Sequence, residues 1–229
     1  MTSPPKTILL FDIDGTLVST GGAGKLAMEG ALQRAFGVEI VRDVVPYSGR
    51  TDVAIARDLL VAHDRPSTPA DVTFLVDTYL DSLPASLTSS TGRICPGIET
   101  ILGAVGSRPE IGLGLLTGNV ERGARLKLGH FGIWQHFRYG GFGDRHADRN
   151  DVARTAYEAA CTHHGCEIDP RSVWVIGDTP LDVSCARAIG ANVLAVATGW
   201  HALEELQACE PDLALADCSD ADALFRLWC

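Results

Sequence analysis

Asp12 and Asp14 stand one residue apart at the end of the apolar run in TILLFDIDGTLV, residues 7–18. Two carboxylates so placed can divide a group transfer between them. Asp12, at the tip of the run, can attack phosphorus and form an aspartyl-phosphate. Asp14, two positions on, would face the same side of an extended segment. There it can protonate the leaving oxygen and later deprotonate the water that breaks the intermediate. Gly15 follows, a residue that lets backbone amides come close to a phosphate. Two further apolar runs also end in polar residues. IGLGLLTGN (111–119) delivers Thr117, Gly118 and Asn119, a set of hydroxyl and amide donors, and SVWVIGDTPLD (172–182) delivers Asp178, Thr179 and Asp182. Brought together, these acids would repel one another unless a cation sat among them. Oxygen ligands at that charge density suit Mg²⁺. Asp178 completes such a metal site, and Asp182 is either a ligand through water or an anchor behind the ligands.

Charge that develops on a transferring phosphoryl group also calls for a fixed positive side chain. Arg145, Arg149 and Lys127 are the candidates. Arg149 opens the helix that runs into the third apolar run, so its side chain starts near the acidic tips and is preferred; Lys127 is the alternative. Asp and Gly after a strand are ordinary turn residues, and any one of these tips alone would read as turn chemistry. DIDGTL, LLTGN and VIGDTPLD in this order are hard to explain as turns.

Positioning these tips requires strands that lie side by side. Residues 7–12, 111–119 and 172–182 read as strands buried on both faces, as in parallel sheets. Residues 136–144 hold a short strand, 191–199 a further one, and 212–216 a weak last one. Helical patterns cover 22–36, 52–63 and 69–83, the last entered through Pro69. Strands alternating with helices imply an α/β fold with a parallel, Rossmann-like sheet and right-handed crossovers. In such sheets ligands bind beyond the carboxyl ends of the strands. The long, mostly helical stretch between the first two strands exceeds one crossover. It is therefore expected to be an inserted α-helical cap, residues 18–93, on a core of 1–17 and 94–229.

At these residues the sequence resembles the haloacid dehalogenase-like superfamily, with DIDGTLV as its first motif, LLTGN as its second and VIGDTPLD as its fourth. The helical insert matches the subgroup that includes phosphoglycolate phosphatase-like and β-phosphoglucomutase-like proteins. The resemblance implies Mg²⁺, a nucleophile at Asp12, acid/base work at Asp14 and phosphate binding at Thr117. It further implies metal ligation by the Asp12 side chain, the Asp14 backbone carbonyl and Asp178. At the third motif many members carry Lys followed by Pro; here the chain reads ADRND, and Arg149 stands in the matching place. Dehalogenating and phosphonate-cleaving members lack an acid two residues after the nucleophile, so Asp14 favours phosphate ester chemistry.

Composition narrows the partners. The 229 residues carry a net charge of -10, which argues against nucleic acid and anionic membranes. No apolar run is long enough to span a bilayer, and MTSPPK with the short segment after it does not read as a signal peptide. Seven cysteines at irregular spacing fit reduced thiols in a cytoplasm rather than a disulfide framework. CTHHGC (161–166) offers zinc-ligand types but reads as the end of a helix stopped by Gly165. GGAGK (21–25) lacks the first Gly and the final Ser or Thr of a phosphate-binding loop. YSGRTD (47–52) either presents Arg50 to the distal group of a substrate or starts a helix with Thr51 or Asp52 as its N-cap. The expected activity is Mg²⁺-dependent hydrolysis of a small phosphorylated metabolite, phosphoglycolate or a sugar phosphate. The alternatives are a phosphosugar mutase and a binding protein on a retired enzyme scaffold. Mutase-like members have a cap His soon after the first motif, where this chain has STGGAG, which favours hydrolysis.

Overall fold

Residues 7–11 of the apolar run form β1 (Thr7–Phe11), every residue of which is buried. The computed structural model describes residues 5–229, so the first four residues of MTSPPK lie outside it. Then follow β2 (Val18–Ser19), α1 (Ala23–Phe36), α2 (Asp52–Ala62), α3 (Pro69–Ser89), β3 (Arg93–Ile94), α4 (Ile98–Val105), β4 (Ile111–Leu116), α5 (Glu121–His130) and β5 (Gly140–Gly141). The chain ends with α6 (Arg149–His164), β6 (Val173–Gly177), α7 (Pro180–Ala188), β7 (Asn192–Val196), α8 (Leu203–Gln207), β8 (Leu213–Leu215) and α9 (Ala221–Trp228).

Six of these strands make one sheet in the order β5-β4-β1-β6-β7-β8, and every pairing in it is parallel. β1 lies between β4 and β6, with Phe11 opposite both Leu115 and Ile176. That register brings the chain just past β1, β4 and β6 out of the sheet side by side. Alternation along β1 explains why no residue of it is polar-facing. Leu9 and Phe11 join the cluster under α4, α5 and α9, while Ile8 and Leu10 join the one under α6 and α7. Both faces are covered, as a parallel sheet requires.

The three helices between β2 and β3 enclose a core of their own, with Met28, Leu32, Ile55, Leu59, Leu75, Tyr79 and Leu83 inside. β2 and β3 pair antiparallel, Val18 opposite Ile94, and bring the two ends of this insert together. Val18 and Arg93, the first and last residues of the expected cap, both belong to that ribbon.

The strands are shorter than the sequence suggests, because each stops where its polar tip turns away. The 172–182 run yields only Val173–Gly177 before Thr179 and Asp182 form a capping box that starts α7, with Pro180 in its first turn. The helix expected over 69–83 continues to Ser89 through Pro84. Leu83 and Leu87, both buried in the insert, hold it past the proline, since burial outweighs the one backbone bond that proline removes. Gly165 ends α6 in the left-handed conformation, as the sequence indicates. No helix among the described residues is long and apolar enough to cross a membrane.

Phe11 is fully buried and packs edge-on against Phe137, ring centroids 6.4 Å apart. Phe11→Ala is expected to cost about 3–5 kcal/mol of stability, read from the midpoint of urea unfolding.

Candidate active site

The site is built where the three tips leave the sheet. Asp12 follows β1 directly, its amide still bonded to the Ile176 carbonyl of the neighbouring strand (2.9 Å). Beyond it the chain is not extended as expected. The amides of Thr16, Leu17 and Val18 all return to the Ile13 carbonyl and Gly15 N–H to that of Val18. A tight turn of this kind takes Asp14 away from the strand line. Gly15, at φ 85°, is required for two reasons: the backbone conformation favours glycine, and a Cβ there would lie 2.3 Å from an Asp178 carboxylate oxygen.

Asp12, Asp178 and Asp182 each present a carboxylate oxygen within 4.8 Å of the others, all three buried. Burial, opposed by Arg149 and reinforced by Asp182 and Asp14, pushes the Asp12 carboxyl up to about 6. Burial and the charges of Asp182 and Asp12 raise Asp178 well above its ordinary range. Thr16 Oγ1 donates to Asp178 (3.2 Å), and Gly199 is pressed against the same carboxylate, where a Cβ would stand 1.7 Å from its oxygen. Asp182 is already engaged on both oxygens: one accepts from the Thr179 amide (3.0 Å) and hydroxyl (2.8 Å), the other from Arg149.

Arg149 opens α6 with Asp148 as its N-cap, and its side chain enters the site. Nη2 reaches Asp12 (3.1 Å) and Asp182, and Nη1 donates to the Gly49 carbonyl of the insert (3.1 Å). Burial disfavours its charge, but Asp12 and Asp182 more than restore it. Its Nε is buried without a partner among the described residues. Three clustered carboxylates against one guanidinium leave net negative charge in a dry place. All-oxygen donors of that kind fit a hard divalent cation.

Asp14 lies in a second, adjoining network. Lys127 Nζ donates to Asp14 Oδ2 (2.5 Å) and Asn119 Oδ1 (2.6 Å). Asn119 Nδ2 donates to Asp14 (2.9 Å) and to Thr117 Oγ1 (2.9 Å). The two candidate cations therefore both reach the acids, Arg149 beside Asp12 and Lys127 beside Asp14. Arg145 is exposed. Gly118 is a close approach: a Cβ there would meet the Arg50 carbonyl oxygen at 2.2 Å. Arg50 pairs with Asp58 of α2 (2.5 Å), and Thr51 is the N-cap of that helix. Arg50 and Arg149 nonetheless line one cavity of about 160 Å³ with Gly49, Asn150 and Ser184.

Lys25 of GGAGK pairs with Asp43 (2.7 Å). Of the CTHHGC histidines, His163 lies tilted against the Tyr139 ring and His164 meets it edge-on. Among the described residues the aspartate trio is the one group of three or more potential metal ligands. Sequence reasoning missed Thr16, Thr198 and Gly199. Thr198 donates to the Gly15 carbonyl (2.5 Å), and the ATG that ends the 191–199 run is a polar strand tip of the same sort as the others.

A parallel sheet with its acids at the carboxyl edge, roofed by a helical insert, defines an α/β enzyme scaffold with its site at the sheet edge. Residues 9–196 match the family model described as haloacid dehalogenase-like hydrolase, and the chain belongs to that family. It is similar over nearly all its length to several solved structures. CbbY from Rhodobacter sphaeroides, solved with phosphate, superposes at a TM-score of 0.74 with 18% identity, over 93% of this chain and 95% of that one. A "predicted phosphatase" from Clostridium acetobutylicum gives 0.71 and 19%, over 96% and 97%. A "predicted phosphoglycolate phosphatase" from Haemophilus somnus gives 0.70 and 18%, over 98% and 100%. No curated protein matches the sequence.

Asp178→Asn removes one of the crowded charges. An ordinary aspartate ionises near pH 4, whereas Asp12 here holds its proton to about 6. The folded chain thus binds the extra proton between those values, and stability falls as pH rises through the window. In the absence of metal, Asp178→Asn is expected to melt about 2–4 °C above the wild type at pH 7.5, the shift that ~1 kcal/mol makes in a chain of this size. The gap should narrow as pH falls through that window and close near pH 4, where both states hold the proton, as followed by thermal unfolding in a chelator.

Proposed function

We propose that this chain is a Mg²⁺-dependent phosphomonoesterase acting on a small phosphorylated metabolite through an aspartyl-phosphate on Asp12. The observation that carries the reading is the division of the acids into two units. Asp12 sits with Asp178, Asp182 and Arg149, and Asp14 sits apart with Lys127 and Asn119.

In the first step an Asp12 oxygen forms a bond to phosphorus while the bond to the leaving alcohol breaks, and Asp14 supplies that alcohol's proton. In the second, Asp14 takes a proton from water, the water oxygen bonds to phosphorus, and the bond to Asp12 breaks, releasing inorganic phosphate. Thr117 and the amides of Gly118 and Asn119 donate to the phosphoryl oxygens, and Gly15 leaves room for their approach. Arg149, whose Nε–H is left without an acceptor among the described residues, stabilises the charge that develops on them. Asp12, Asp178 and the Asp14 carbonyl would hold Mg²⁺, with Asp182 orienting Arg149 behind them. The ion supplies neutralisation of the carboxylates and of the phosphoryl charge.

Phosphoglycolate and sugar phosphates are the candidate substrates, with Arg50 offered to a distal anionic group through the cavity it shares with Arg149. The seven free cysteines fit a reducing compartment, the cytoplasm.

The test is phosphate release from p-nitrophenyl phosphate. Turnover is expected to require Mg²⁺ and to fall by about 10³-fold or more in Asp12→Asn, the scale of losing a covalent nucleophile. Undiminished turnover in that variant, or in chelator, contradicts the reading. A sugar-phosphate isomerisation assay separates it from a mutase.

A further inference from the structure

Lys127 is a buried lysine, 4% exposed, on a core helix, yet much of what buries it belongs to the insert. Asp52, the first residue of α2, and Tyr79 of α3 both favour its charged form. From α1, Gly24 comes so close that a Cβ on it would lie 3.4 Å from Nζ. Three insert helices thus converge on the cation that grips Asp14.

Asp52 is the unusual member. It is 8% exposed and stands in the first turn of α2, where a carboxylate commonly serves its own helix. Thr51 performs the N-cap instead, accepting from the Ala54 amide (3.2 Å). The Asp52 side chain leaves its helix and accepts the Val120 amide (2.9 Å) at the start of α5, the helix that carries Lys127. Its own amide donates to the Gly118 carbonyl (2.8 Å). These two bonds clamp the residues on either side of Asn119, the other group that holds Asp14. A buried carboxylate committed to a core loop costs desolvation that packing of the insert alone would not require.

We infer that Asp52 is a positioning residue through which the seated helical insert fixes the Asn119–Lys127 pair, and through it the Asp14 carboxylate, at the reacting bond. When the insert lifts, segment 118–120 loses both bonds and Lys127 loses the cover of the insert helices, so Asp14 is held for proton transfer only over an enclosed substrate. The inference rests on the reading of Asp14 as proton carrier.

The experiment compares kcat/KM for phenyl phosphate and p-nitrophenyl phosphate in the wild type, Asp52→Ala and Asp14→Asn. The two esters are close in shape, but nitrophenolate leaves without help from an acid and phenolate needs it. Asp52→Ala is expected to lose about tenfold more on phenyl phosphate than on p-nitrophenyl phosphate, a fraction of what general acid catalysis contributes. Equal losses on the two esters would mean that Asp52 serves only structure and overturn the inference, as would no loss. Asp14→Asn separates the levels. If it discriminates between the esters and Asp52→Ala does not, only the positioning role fails; if Asp14→Asn does not discriminate, the proton-carrier reading fails and this one with it. Should Asp52→Ala not fold, Asp52→Leu, of similar size but with no acceptor for the Val120 amide, replaces it: a selective loss on phenyl phosphate supports the positioning role, and equal or absent losses overturn it.

Discussion

Like charges forced together out of water are the constraint around which this molecule is arranged. Asp12, Asp178 and Asp182 are brought within 4.8 Å by the parallel register of β1 and β6 and by the capping box that starts α7. A sheet covered on both faces denies them solvent. Left alone, such a cluster would be discharged by protonation, and burial does push Asp12 and Asp178 in that direction. Arg149 answers part of the charge, and a divalent cation would answer the rest. Other features serve the same crowding. Gly15 and Gly199 are glycines because the Asp178 carboxylate occupies the space of a side chain, and Thr16 gives it a hydrogen bond.

Much of the fold could be read from the sequence because its signals are local. Continuous apolar runs such as LLF and VWVI mark strands buried on both faces, and the long helical stretch after Asp14 can only be an insert if β1 and β4 are to be neighbours. The three motif tips were legible for the same reason: a polar residue that ends an apolar strand in a parallel sheet has one edge to go to. Contacts across the chain were not legible. Nothing near residue 127 says that its lysine will meet Asp14, because that depends on how α5 packs under the insert. Arg149 and Lys127, the two cations weighed in the sequence, reach different acids in three dimensions. The extended Asp12–Asp14 segment failed because the Ile13 carbonyl takes three amides and bends the chain back.

The insert is joined to the core by more than its ends. Gly49, Arg50 and Asp52 lie against Arg149, Gly118 and Val120, so the segment YSGRTD meets both cationic networks at once. Val120 of the core even belongs to the apolar cluster of the insert. A roof that shares hydrogen bonds with the groups below it excludes water and can report its own closure.

The sharpest question is whether the aspartate cluster is a metal centre, and calorimetric titration of the chelator-treated chain with Mg²⁺ answers it. One ion bound per chain, with binding abolished in Asp178→Asn, is the result expected. No heat of binding in the wild type, or binding that Asp178→Asn leaves intact, would contradict it.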